Sequence, residues 1–298
     1  MMINIKDYFN ANREAVNIYI EGLLKNIDQY PNDLHDSMSY SLMAGGKRLR
    51  PILVIASAET VGGVRENVLP FAAAIEMIHT YTLIHDDLPA IDDDELRRGK
   101  PTCHKEFSEA TAILAGDALL TYAFEVMSNL SLMPNCSPDN VIKALNEVAK
   151  RVGVSGTIGG QMADILYEGV GGTIPLLEYI HTHKTGEMIL ASVLAGGILS
   201  GATDEELAAL SAYAKNIGLA FQIVDDILDV EGDSKVMGKN TGIDAKNNKL
   251  TYPGLLGIAE SRHIASHLID TGIKSLAIFG ERGEVLKDTA EYIIARSF

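Results

Sequence analysis

The 298-residue sequence predicts an all-α protein, a bundle of about ten helices packed around a core. Three observations carry that expectation. Apolar residues recur at the three-and-four spacing of a helix face along nearly the whole chain. Alternating polar and apolar runs rich in Val, Ile and Thr are scarce, so no strand is expected. Helix punctuation stands where the periodic stretches begin.

From the N-terminus, helical periodicity covers 3–27 and 47–61. It continues from Val68 to Asp87, where Phe71, Ile75, Ile78, Thr82 and Leu83 keep close to one face. Further stretches run over 108–130, 138–154, 174–199, 204–230 and 252–269, with a last helix near 282–296. Pro70 and Pro175 are placed at helix starts, where the missing N–H of proline costs nothing. Thr203 reads as an N-cap, and Glu206 completes its capping box. No Pro/Gly/Ser-rich linker divides the chain, which predicts a single domain over 1–298.

The 40 acidic residues outweigh 25 Lys and Arg, giving a formal net charge of −15. That balance argues against nucleic acid as a partner, because phosphate backbones are held by concentrated Lys and Arg. It is compatible with an anionic small substrate if metal ions stand between that substrate and the carboxylates. Cys103 and Cys136 form neither a disulfide framework nor a metal-ligand spacing. The first twenty residues carry early acids and no apolar h-region, so no signal peptide is expected. The longest apolar stretch, Met188 to Leu199, falls short of the about 20 residues a bilayer requires. A buried helix, no membrane span and a cytoplasmic address follow as expectations.

Two aspartate clusters bear the chemistry. The first runs His85-Asp86-Asp87-Leu88-Pro89-Ala90-Ile91-Asp92-Asp93-Asp94, the second Gln222-Ile223-Val224-Asp225-Asp226-Ile227-Leu228-Asp229. Both follow long apolar helical stretches, an unfavourable place for carboxylates without partners. Asp225 and Asp229 are four apart and share a helix face. Asp86 and Asp92 are six apart, so a straight helix would separate them, and Pro89 supplies the break that could bend Asp92 back. One such cluster is ordinarily a solvated helix end; two, each with basic residues close behind, point to hard cations completed by phosphate oxygens.

The sequence resembles the trans-isoprenyl diphosphate synthases, most closely the bacterial farnesyl diphosphate synthases. The resemblance rests on GGKRLRP at 45–51, EMIHTYTLIHDDLPAIDDDELRRGKPT at 76–102, GGQMAD at 159–164, HKTG at 183–186, FQIVDDILDVEGD at 221–233 and GKNTGIDAKNNKLTYP at 238–253. These blocks stand in the family's order and span most of the chain. The resemblance implies an isoprenoid-synthase helical fold around a central cavity, a homodimer, and magnesium as cofactor. It implies joining of isopentenyl diphosphate to an allylic diphosphate through an allylic carbocation. Asp86 and Asp92 would hold two magnesium ions against the departing diphosphate, and Asp225 a third from the opposite wall. Asp87, Asp226 and Asp229 would orient that shell.

By the same resemblance, Arg97, Lys184 and Lys239 contact the allylic diphosphate, and Lys47, Arg50, His79 and Arg98 bind isopentenyl diphosphate without metal. Thr185 and Gln222 line the cation. Gln161 and Asp164 belong to a family motif without an assigned contact, and His181, His263 and His267 receive no role. The C-terminal Arg296-Ser297-Phe298 resembles tails that close over the site. Tyr81, five residues before Asp86, matches an aromatic floor that stops growth at fifteen carbons, although helical phase places Thr82 beneath Asp86. A farnesyl product is therefore expected, with geranylgeranyl diphosphate as the alternative. A terpene cyclase would carry an Asn/Ser/Glu second motif instead of DDILD, and a non-catalytic subunit of a heteromeric synthase would lack aspartates or basic ligands present here.

Overall fold

The computed structural model describes residues 4–27, 30–231 and 249–294. Most of them are helical, as the periodicity predicts. In chain order the helices are α1 (Ile5–Lys25), α2 (Asn32–Leu42), α3 (Leu49–Thr60), α4 (Arg65–Asp86), α5 (Cys103–Glu106), α6 (Glu109–Ser128) and α7 (Pro138–Val152). They continue with α8 (Thr157–Tyr167), α9 (Ile174–His181), α10 (Glu187–Leu199), α11 (Asp204–Glu231), α12 (Tyr252–Leu256), α13 (Ile258–Ser275) and α14 (Glu284–Ile294).

Helix α4 is apolar around most of its circumference, as a helix must be when neighbours cover every side. Val68, Phe71, Ile75, Met77 and Ile78 are fully buried in a core shared with α1, α2, α3, α6, α7 and α10. A second core joins α3 and α10 to α11, α13 and α14. Helices α6 and α11 are long and apolar enough, by length and composition alone, to cross a membrane. Each buries one face on its neighbours, Ala112, Ala115, Leu119 and Ala123 for α6, and Leu210, Tyr213 and Ile217 for α11.

Local chemistry explains the boundaries. Ser108 caps α6 by accepting from the Thr111 amide at 3.0 Å. The capping box before α11 is formed: the Thr203 amide donates to Glu206 at 2.9 Å, and the Glu206 amide to the Thr203 hydroxyl at 3.2 Å. Pro175 lies in the first turn of α9.

Four expectations need correction. Pro70 lies inside α4, which begins a turn earlier than the periodicity suggested. The 174–199 stretch is interrupted by a π-turn at Thr182–Gly186. The 252–269 stretch breaks at Gly257, where φ is +81°. A two-stranded hairpin, β1 (Leu96–Arg97) and β2 (Lys100–Pro101), occurs where no strand was expected. Arg98 and Gly99 at its tip both have positive φ, the twist that tight hairpins demand. Helices α2, α5 and α8 escaped the periodicity, α8 because Gly159-Gly160 near its start disfavours a helix in isolation.

Candidate active site

The first cluster is built by the way α4 ends. After Asp87 the chain turns on itself: the Ile91 amide donates to the Leu88 carbonyl at 2.9 Å, and the Asp92 amide donates to the Asp86 carbonyl at 2.9 Å. Asp92 is thereby returned beside Asp86, across the spacing that a straight helix would have opened. Burial, opposed by Lys184 and reinforced by Asp92, pushes the Asp86 carboxyl up to about 6. Asp87 has a different task. It is buried, and it accepts from Arg97 Nε through both oxygens at 2.7 and 2.8 Å. Arg97 also reaches Asp94 at 3.3 Å, so the hairpin arginine is held from two sides.

The second cluster splits in the same way. Asp225 lines the central cavity. Asp226, one residue on, is buried and serves the fold. It binds His181 Nε2 at 2.9 Å, accepts from the Tyr252 amide at 3.0 Å and from Gln222 Nε2 at 3.3 Å. Asp229 is buried a turn further along. His181, which had no assigned role, thus ties α9 to α11.

Between the clusters, the π-turn carries Lys184 and Thr185. Such one-turn π segments recur at functional sites because they rotate side chains out of helical register. Lys184 Nζ donates to Asp164 of α8 at 2.6 Å. Gly160 permits this approach: a Cβ there would overlap the Lys184 amide nitrogen and lie 2.6 Å from the His183 carbonyl carbon.

The cationic end is assembled from the loop before α3. Gly46, at φ +115°, lies under the Arg98 guanidinium; a Cβ there would be 2.6 Å from the guanidinium carbon. Arg98 donates to the Gly45 carbonyl. Arg48 has left-handed φ, +52°, and its side chain is buried against Glu76 at 2.7 Å, Asn17 at 2.9 Å and the Leu42 carbonyl at 2.6 Å. That anchor lets neighbouring Lys47 and Arg50 face the cavity. Arg50 Nη1 lies 3.3 Å from His79 Nε2. An arginine offers only donors, so this histidine nitrogen is the acceptor. Burial, then Arg50, Arg98, Arg97 and Arg48, hold His79 well below its ordinary pKa, in keeping with a neutral ring.

Two cavities result. One, of about 610 Å³, is lined by Lys47, Arg50, His79, Arg97, Arg98, Thr185, Gln222 and Asp225. The other, of about 520 Å³, has Asp86, Lys184 and Thr185 on its polar side, and Tyr81, Thr82, Leu120, Ile158 and Met188 among its remaining walls. They share Arg50, His79, Leu83 and Thr185. Tyr81 and Thr82 both line the second cavity, and the Tyr81 ring stands edge-on to His85 at 5.6 Å.

The structure thus places Asp86, Asp87, Asp92, Arg97, Lys184, Thr185, Gln222, Asp225, Lys47, Arg50, His79, Arg98, Tyr81 and Thr82 in or beside two adjoining cavities. Lys239 and Arg296, Ser297 and Phe298 lie outside the described residues. Sequence reasoning missed Lys249, whose Nζ is 3.1 Å from Asp92, although its block of sequence was among those quoted. It also missed the Arg48–Glu76 anchor, whose partners are 28 residues apart and leave no local signal.

Among the described residues no three Asp, Glu, His or Cys side chains close on a single point that could hold a metal. The donor set still suits magnesium. It is all carboxylate oxygen, and Asp86 is buried beside Asp92 and Asp87, where a cation would offset the repulsion. Magnesium keeps several waters and completes its shell with phosphate oxygens, so an open set of protein ligands is what it takes.

Two adjoining cavities in an all-α fold, one bearing Asp86 and the other Asp225 beside Lys47, Arg50, Arg97 and Arg98, are what an isoprenyl-synthase class of protein would present. The comparisons agree. Residues 31–277 match the polyprenyl synthetase family, to which the chain belongs. It is 48% identical over 295 residues to a dimethylallyltranstransferase of Fischerella ambigua, covering 99% of this chain and 84% of that protein. A geranylgeranyl diphosphate synthase of Cyanophora paradoxa is 44% identical, with 99% and 97% covered. A farnesyl diphosphate synthase of Geobacillus stearothermophilus is 42% identical, with 99% and 98% covered. The crystal structure of an FPP/GFPP synthase from Zymomonas mobilis superimposes with a TM-score of 0.88 at 36% identity, covering 98% of this chain and all of that one. The chain is a short-chain trans-prenyltransferase.

Proposed function

We propose that this chain condenses isopentenyl diphosphate with dimethylallyl and then geranyl diphosphate, releasing (2E,6E)-farnesyl diphosphate. The allylic diphosphate head lies between Asp86, Asp92 and Asp225, with its tail in the 520 Å³ cavity. Isopentenyl diphosphate lies on Lys47, Arg50, His79 and Arg98. Asp86 and Asp92 hold two magnesium ions and Asp225 a third; when bound, they supply Lewis-acid stabilisation of the leaving diphosphate.

The residues of the chain do the rest. The C1–O bond of the allylic substrate breaks, and its electron pair leaves with the diphosphate. Arg97, steadied by Asp87, takes up that negative charge together with Lys184 and Lys239. The Thr185 hydroxyl and the Gln222 amide oxygen face the cation. The isopentenyl double bond attacks C1, and a proton then passes from the new product to a diphosphate oxygen. Neutral His79 donates from Nδ1, because Nε2 accepts from Arg50. Asp226 and Asp229 position this wall from within the fold.

The observation that carries the coupling reading is that the two cavities share Arg50, His79, Leu83 and Thr185 in their linings. A cationic site and the Asp86 site thus lie side by side, which would let two diphosphates present their carbons to each other. The observation that favours fifteen carbons is Tyr81, 5% exposed in the wall of the second cavity. A twenty-carbon product is the second reading, favoured by the geranylgeranyl synthases among the relatives. Purified chain, labelled isopentenyl diphosphate, dimethylallyl diphosphate and magnesium test both. No condensation product overturns the enzyme assignment, and a main product of twenty carbons overturns the chain-length assignment.

The same reading includes one domain, because α3 and α10 contribute to both cores. It includes a homodimer in the cytoplasm. Exposed Ile113 and Leu114 of α6 and Leu166 of α8 are apolar residues that a second copy would cover.

A further inference from the structure

We infer that the Gln161 carboxamide touches the allylic substrate, its oxygen facing the carbocation; this rests on the coupling reading above. Gln161 is in α8, and both its Oε1 and its Nε2 are buried without any hydrogen-bond partner. A native fold rarely tolerates one buried polar atom without a partner, and a carboxamide that leaves both unmet is a group that awaits a ligand.

Its placement says which ligand. Gln161 lines the 520 Å³ cavity together with Asp86, Lys184 and Thr185. The preceding Gly160 presses α8 directly on the His183–Lys184 backbone. Asp164, three residues on and therefore on the same face of α8, accepts from Lys184 at 2.6 Å. Gln161 is thus fixed between two residues that grip the π-turn, at the junction of the polar head and the apolar depth of the cavity. When the allylic C1–O bond breaks, the electron pair leaves with diphosphate and positive charge spreads over C1 and C3. An uncharged amide oxygen at that junction offers a fixed dipole to this charge. A carboxylate there would capture the cation covalently, and an apolar group would leave it unsolvated. Glutamine avoids both.

The test compares two unreactive ligands that share a diphosphate: a neutral allylic thiolodiphosphate and an ammonium analogue carrying positive charge at the cation position. Their affinities are measured with magnesium for wild type, Q161M, which keeps the volume, and Q161E, which replaces the dipole by a charge. Q161M should weaken the ammonium analogue about tenfold, about 1.4 kcal/mol, and leave the neutral one within about twofold. Q161E should tighten the ammonium analogue relative to the neutral one, which keeps the test open if Q161M does not fold. Equal weakening of both ligands would make Gln161 a packing residue and overturn the inference, as would no change in either. If neither ligand binds wild type, the coupling reading is what fails.

Discussion

Replacing Tyr81 by alanine tests how the cavity limits the product. The ring is 5% exposed, stands edge-on to His85 at 5.6 Å and ends in a hydroxyl with no hydrogen-bond partner. Burying each further carbon of a growing chain is worth about 0.8 kcal/mol, so a five-carbon unit in the vacated space gains up to about 4 kcal/mol. Ordering that unit costs about 1 kcal/mol. The remaining gain of about 3 kcal/mol corresponds to about a hundredfold rise in the ratio of twenty- to fifteen-carbon product. Truncating a buried aromatic costs about 3–5 kcal/mol of stability, offset by about 1–3 kcal/mol on removing the unsatisfied hydroxyl. Product is read by chromatography of the dephosphorylated alcohols after incubation with labelled isopentenyl diphosphate in excess. Y81F, which keeps the ring, should behave as wild type. A product ratio unchanged within about threefold in folded Y81A would refute the idea that this ring is the floor.

Three further outcomes follow from the site. D86A should retain the fold and lose about three orders of magnitude in turnover, and a chelator should abolish wild-type activity until magnesium is restored; full activity in either condition would remove the metal role. D225A and D226A should differ in kind. Urea unfolding of D226A should show a loss of about 3–5 kcal/mol, because His181, Tyr252 and Gln222 lose a shared buried acceptor, whereas D225A should show its main loss in turnover, as D86A does. G160A must push α8 away from the Lys184 backbone, and a displacement of about 1 Å there should lower turnover about a hundredfold; wild-type rates would show that the close approach is dispensable.

Much of this was legible in the sequence, and what was not has physical reasons. Periodicity exposed the long helices because each buries a continuous face, as α4 and α11 do. It failed at Gly159-Gly160, where local propensity opposes the helix that tertiary packing imposes, and at Arg98-Gly99, where the hairpin is shorter than any alternating pattern. The aspartate motifs located the two walls, but composition could not divide the labour inside them. Asp86 and Asp87 are adjacent, yet one lines the cavity and the other clamps Arg97. Asp225 and Asp226 repeat the division, because neighbours on a helix point about 100° apart and only one of each pair can face inward.

That repeated division bears on how an acidic protein handles diphosphate. Each wall pairs a carboxylate at the cavity with a buried carboxylate that is already neutralised, Asp87 by Arg97 and Asp226 by hydrogen bonds from His181, Tyr252 and Gln222. The buried member fixes the helix end, so the cavity-facing member keeps its place. A fully solvated acidic cluster could relax away from repulsion by changing rotamers. Here Asp86 is held between burial and the neighbouring Asp92, which is what pushes its carboxyl up to about 6. A cation arriving with diphosphate therefore relieves an existing repulsion rather than creating order afresh, and its binding is selective for the pair of partners over either alone.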